Sequence, residues 1–278
     1  MRAVQYQKIG EASQVLELVD VEAPSVGPGE VRIALKTSGV NPSDVKVRGG
    51  HIPSTWPFPR TPHSDGAGLV DAVGEGVDPG RVGERVWVFN AAWGRTTGTA
   101  GEYVVVPEDF IAALPDDISF EVGACLGIPA STALHALTLG GDPRGKTVLI
   151  AGGAGAVGHY AIQFAKHLGA GRILTTVSSP EKAELVLSAG ADVAINYRQG
   201  DTLGAIMDAT QGWGGGHDRR SRPFDQHRPG CRCAGPRWPR RRLRKFRTRV
   251  QDAVLEVHPQ EPGLRFLHSL SPRQGEAG

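Results

Sequence analysis

The chain has 278 residues, 40% of them hydrophobic and 22% charged, enough for two modest domains with apolar cores. Its apolar runs stop short of the roughly 18–20 residues that span a bilayer, its start lacks an apolar leader core, and three cysteines make no disulfide framework. No membrane association is therefore expected, and the setting expected is reducing and cytoplasmic. A net charge of +2 hides an uneven chain: residues 1–212 hold 16 Lys and Arg against 23 Asp and Glu, whereas residues 213–278 hold 15 against 6.

Residues 1–118 read as mostly β. Val31-Arg32-Ile33-Ala34-Leu35-Lys36 alternates as a half-buried strand does, and Gly66–Val73 and Arg85–Phe89 are further apolar runs between glycine-rich turns. Short strands punctuated by Gly and Pro predict a compact barrel. The pattern turns helical at Ser119, with an amphipathic run over Ala130–Leu139, and Thr147–Ala151 is then a continuous apolar strand of the kind buried on both faces of a parallel sheet.

That strand runs into Gly152-Gly153-Ala154-Gly155-Ala156-Val157-Gly158, which contains G-x-G-x-x-G at Gly153, Gly155 and Gly158. In such a loop the first glycine permits a tight turn, the second lets backbone approach a pyrophosphate, and the third lets the helix pack on the strand. A helix with the stripe Val157, Ala161, Phe164, Ala165, Leu168 follows, and Arg172–Val177 closes a β-α-β unit. The helix N-terminus would hold phosphate charge. Where NAD enzymes place an acid for the ribose 2′-hydroxyl, this chain has Ser178 and Ser179, with Lys182 close behind, which favours NADPH. Ser179 is equally a good helix N-cap, with Pro180 at the first helical position.

The chain resembles the medium-chain dehydrogenase/reductase superfamily, in its quinone oxidoreductase (zeta-crystallin-like) branch. The resemblance rests on Ser38–Asp44, Thr61–Gly68, Gly127–Ala133 and the glycine loop through Lys166, and covers residues 1–212. It implies an α/β protein: a GroES-like β-barrel domain over 1–118, then an incomplete Rossmann domain (a doubly wound parallel sheet) over 119–212. By the same resemblance Asn41 and Thr132 approach the nicotinamide ribose and carboxamide, and Ser178, Lys182 and Tyr197 surround the 2′-phosphate. From the residues alone, Asn41 before Pro42 is also a turn residue, Thr132 an ordinary helix residue, and Tyr197 the half-buried end of a strand over Ala191–Asn196.

Alcohol dehydrogenases of that superfamily carry Cys at the position of Asn41 and Gly-His-Glu at the position of His63-Ser64-Asp65. A catalytic zinc needs three protein ligands and a structural zinc about four, and residues 1–212 offer one cysteine, Cys125, in an apolar helical stretch. No metal is expected. The implied activity is zinc-independent hydride delivery from NADPH to a quinone or conjugated carbonyl, with an enoyl or other double-bond reductase as the alternative; an intact form is expected to be a homo-oligomer. No catalytic acid or base is identified.

Residues 213–278 hold 14 of the 24 arginines, seven prolines and no isoleucine. Arg240–Lys245, with Trp238 and Phe246, reads as a disordered basic tail that binds nucleic acid only nonspecifically, and Cys231 and Cys233 match no standard zinc spacing. The alternative is a slipped reading frame. CGT-CGT-CGT displaced by one base gives GTC, valine, and suitable codons turn Pro236–Phe246 into a glycine turn and a valine-rich strand. Under that reading nothing after Gly212 is expected to complete the sheet, and this chain is an inactive, truncated product.

Overall fold

The structure, a computed structural model, describes residues 1–139 and 141–210, together with the backbone of the strands at 254–257 and 265–267. It divides into two units, Met1–Ser131 and Thr132–Gly278.

The first unit begins with strand β1 (Arg2–Gln5), a helical turn α1 (Ala12–Val15) and β2 (Glu17–Asp20), the two strands pairing antiparallel. Next come β3 (Glu30–Gly39), helix α2 (Pro42–Arg48), β4 (Asp65–Val73), β5 (Arg85–Val88), β6 (Tyr103–Pro107), β7 (Ile111–Ala113) and the short helix α3 (Phe120–Gly123). The five later strands form an antiparallel sheet in the order β6-β3-β4-β5-β7. Alternation in β3 does what the sequence pattern requires: Val31 and Ile33 are wholly buried with Val70, Val86, Val88, Val104 and Val106, while Arg32 on the other face pairs with Asp71 at 2.7 Å.

The segment after the sheet packs on the first unit. Ser119 caps α3, whose C-cap Ala124 is buried with Ala67 and Leu114 of the first unit. Helix α4 (Gly127–Leu139) starts earlier than the amphipathic run predicts and is apolar on more than one face, with Ala133 and Leu137 buried but Leu134 and Leu139 exposed. Cys125 lies in the turn between these helices and is exposed, not within a helix.

The second unit alternates β8 (Thr147–Ile150), α5 (Ala156–His167), β9 (Arg172–Val177), α6 (Pro180–Ser188), β10 (Val193–Asn196) and α7 (Thr202–Ala209). Strands β10, β9 and β8 are parallel neighbours in that order, as a β-α-β-α-β half of a doubly wound sheet requires. Ile150, Ile162, Ile173, Val177 and Val186 fill the layer between sheet and helices.

Beyond residue 212 the structure departs from the sequence expectation. Strand β11 (Val254–Val257) runs antiparallel beside β8, pairing Leu255 with Leu149, and β12 (Arg265–Leu267) pairs antiparallel with β11. Val254-Leu255-Glu256-Val257 carries the strand signal that the surrounding arginines and prolines obscured. The basic run Arg240–Lys245, Cys231 and Cys233, and the register implied by a slipped frame lie outside the described residues. Among the described residues no helix is long and apolar enough to cross a membrane.

Candidate functional site

The glycine loop joins β8 to α5, and its backbone is pinned from below. Gly152 N donates to Thr176 Oγ1 at 3.0 Å and Gly153 N to the Thr176 carbonyl at 3.2 Å. A Cβ on Gly153 would strike Thr175 Oγ1, itself held on the Ile150 carbonyl at 2.8 Å, and a Cβ on Gly158 would strike the Gly152 carbonyl. These two glycines answer to packing. Gly155 is different: it is exposed, it caps α5, and a Cβ there would meet only the Gly152 carbonyl at 3.3 Å. Ala154 and Val157 pack on the core, whereas Ala156 is exposed beside Gly155. The outer edge of the turn therefore presents backbone at the start of a twelve-residue helix that has no acid in its first turn.

At the end of β9 the structure brings the other predicted residues of this unit together. Lys182 Nζ donates to Ser178 Oγ at 3.1 Å, and Ser179 Oγ caps α6 by accepting from Lys182 N at 3.4 Å. Tyr197 N donates to the Val177 carbonyl at 3.0 Å, which sets Tyr197 beside Ser178 at the strand ends. Tyr197 is exposed, where the sequence alone allowed half-burial. One carboxylate escaped the sequence reading. Glu181 lies in the first turn of α6, and hydrogen bonds from the Ser179 hydroxyl and its own backbone N–H hold its carboxyl below the usual range. Its signal was present, since an acid at the second position after a Ser cap is an ordinary helix-start feature.

Asn41 and Thr132 belong to separate units. Thr132 is half-buried on α4. Asn41 is buried and caps α2; its Nδ2 donates to Asp65 Oδ2 at 2.8 Å, and its N to Asp44 Oδ2 at 2.8 Å. Asp65 is wholly buried and also accepts from Ile128 N at 2.7 Å, while its Oδ1 has no partner among the described residues. Burial pushes the Asp65 carboxyl up to about 6 against those hydrogen bonds. Burial also raises Asp44 to about 6, with the charge of Asp65 adding to it and the Asn41 N–H opposing it. This carboxyl pair was not singled out from the sequence.

The residues do not fit zinc. The amide nitrogen of Asn41, not its oxygen, faces Asp65; His63 is engaged through Nδ1 with Ser38 Oγ at 3.0 Å; and Cys125 is in an exposed turn. Among the described residues no three His, Cys, Asp or Glu side chains converge as a metal site requires.

Residues 27–116 match the alcohol dehydrogenase GroES-like domain family, and residues 156–218 match the zinc-binding dehydrogenase family. The quinone oxidoreductase of Rattus norvegicus is 34% identical over 208 residues, covering 74% of this chain and 61% of that protein. A mycobacterial protein solved in complex with NADPH is 36% identical with a TM-score of 0.67, covering 77% of this chain and 65% of that one. The chain belongs to the medium-chain dehydrogenase/reductase superfamily, in its quinone-oxidoreductase-like branch. An NAD-dependent alcohol dehydrogenase structure is 35% identical with a TM-score of 0.70, covering 77% and 68%. The chain thus spans about three fifths of the curated quinone oxidoreductase it matches.

Proposed function

We propose that this superfamily member binds NADPH and serves zinc-independent reduction of quinones or related conjugated carbonyls. The observation that carries the reading is the Ser178–Lys182 pair at the end of β9, a hydroxyl and an ammonium where NAD-specific sites place an acid. The exposed Gly155–Ala156 edge and the α5 N-terminus suit the pyrophosphate, and Lys182, Ser178 and Tyr197 suit a 2′-phosphate. Bound there, NADPH supplies a hydride to an acceptor that is already electrophilic, so no metal is needed to polarise an alcohol. The residues of this chain bind and orient: the loop backbone takes phosphate charge, and Lys182 discriminates between the two dinucleotides.

Titration of the chain with NADPH and NADH tests this. Tighter NADPH binding, weakening as salt rises, is the expected result, whereas equal affinities would remove the basis for the assignment.

A further inference from the structure

The first unit carries a cavity of about 410 Å³ whose walls include Ala3, Val4, Leu35, Ser38, His63 and Thr99. His63 has φ 75°, and only Asn90 shares positive φ among the described non-glycine residues. Such backbone is strained and persists where neighbours over-determine it, commonly at functional positions. Here the neighbours are explicit: Thr99 N donates to the His63 carbonyl at 2.9 Å, Ala100 N donates to the Pro62 carbonyl at 3.1 Å, and a Cβ on Gly98 would strike both carbonyls.

A chain of hydroxyls fixes the imidazole tautomer. Thr99 Oγ1 donates its one proton to the Asp65 carbonyl at 2.6 Å, so toward Ser38 Oγ, 2.9 Å away, it can only accept. Ser38 thereby spends its own proton on Thr99 and must accept from His63 Nδ1–H, 3.0 Å away. Burial lowers the pKa of this imidazole and favours the neutral ring. A neutral ring with its proton on Nδ1 has a lone pair on Nε2, which is not fully buried and takes no partner among the described residues. The cavity thus sets the His63 acceptor near the apolar side chains of Ala3, Val4 and Leu35. Of the charged residues lining it, Arg2 and Glu102 neutralise each other at 3.1 Å.

We propose that this cavity binds a small neutral phenol-type ring, whose hydroxyl donates to His63 Nε2 while its apolar body lies on Ala3, Val4 and Leu35. A phenol matches both halves of the site, being a stronger O–H donor than an alcohol and largely apolar elsewhere. The inference concerns the first unit alone and stands apart from the cofactor and reaction proposed above.

The test is titration of the full, ¹⁵N-histidine-labelled chain with phenol, with anisole (no O–H) and benzoate (an anion that Lys36 at the cavity would favour) as comparisons. Phenol is expected to shift one imidazole Nε2 resonance, one that is missing from His63→Gly, and to bind His63→Gly at least tenfold more weakly. Glycine suits φ 75°, so that variant should fold; His63→Asn, also tolerant of positive φ, gives the same reading if it does not. Anisole and benzoate should bind at least tenfold more weakly than phenol. Undiminished phenol binding in the folded variant lacking the ring, anisole or benzoate matching phenol, or no saturable phenol binding to the parent would each overturn the proposal.

Discussion

Lys182 Nζ donates to Ser178 Oγ across the junction of β9 and α6, placing a cation beside the strand end where a 2′-hydroxyl or 2′-phosphate would arrive in the proposed site. The same helix start carries Glu181, whose carboxyl is held ionised by Ser179. In the proposed site selectivity would be set by these two opposed charges, both solvent-exposed, so it should depend on salt.

Lys182→Glu should lower the preference for NADPH over NADH by about tenfold or more, because a hydrogen bond to a charged group contributes roughly 1.5–3 kcal/mol. Glu181→Gln should move it the other way by a few-fold. Dissociation constants for both dinucleotides at two salt concentrations decide the matter. An unchanged ratio in Lys182→Glu would show that this lysine takes no part in selectivity.

The loop glycines separate packing from ligand approach. Gly158→Ala drives a Cβ into the Gly152 carbonyl, which is backbone and cannot swing aside, so both melting temperature and dinucleotide affinity should fall. Gly155→Ala, at φ −82°, brings its Cβ only to 3.3 Å from the Gly152 carbonyl, a milder clash, and should melt closer to the parent temperature than Gly158→Ala while losing affinity, since the methyl would stand on the exposed edge proposed for phosphate. Calorimetric melting and NADPH titration of both variants distinguish the cases; equal destabilisation by the two would mean that Gly155 also serves packing.

The buried carboxyl pair makes stability fall as pH rises. Asp65 and Asp44 have folded pKa values of about 6, above the 3.8 of the unfolded chain. Folding therefore favours their protonated forms; the contribution is full below about 3.8 and is lost as pH climbs through about 6. For Asp65 the span corresponds to up to about 3 kcal/mol, at roughly 1.4 kcal/mol per pH unit. Melting temperatures should decline in the parent between about pH 4 and 6.5 and level off above that, and Asp65→Asn should flatten much of the decline. Parallel slopes for the two would count against a buried, charge-penalised Asp65.

The parallel half-sheet, the glycine loop and the Ser178–Lys182 pair were legible because each depends on local pattern: a continuous apolar strand, glycines at fixed offsets, a Ser-Pro helix start. Asp65 was hidden for the opposite reason. Its burial and its bonds to Asn41 and Ile128 join residues 24 and 63 positions away, and no local period records such a meeting. Strand β11 had a local signal, Val254–Val257, but the composition of the whole tail outweighed four residues in the reading.

The position beside β8 bears on whether this chain can work. In a doubly wound sheet the strand next to the first is parallel to it and opens the second mononucleotide half, with ligand bound at the switch point between halves. Here β11 takes that position antiparallel. An antiparallel neighbour reverses the strand's carboxyl end, so the helix that should follow it cannot begin on the side where the glycine loop lies. Under the slipped-frame reading, suitable codons for Pro236–Phe246 would instead encode a valine-rich strand for that place. Removing one base near Gly216, the shift that turns CGT-CGT-CGT into GTC, should therefore yield protein that oxidises NADPH with a quinone, while this chain should show little such activity. Hydrogen exchange should also slow at the β8 amides in the restored form, because a longer strand would cover them. Equal NADPH oxidation and equal β8 protection in the two proteins would reject the slipped frame.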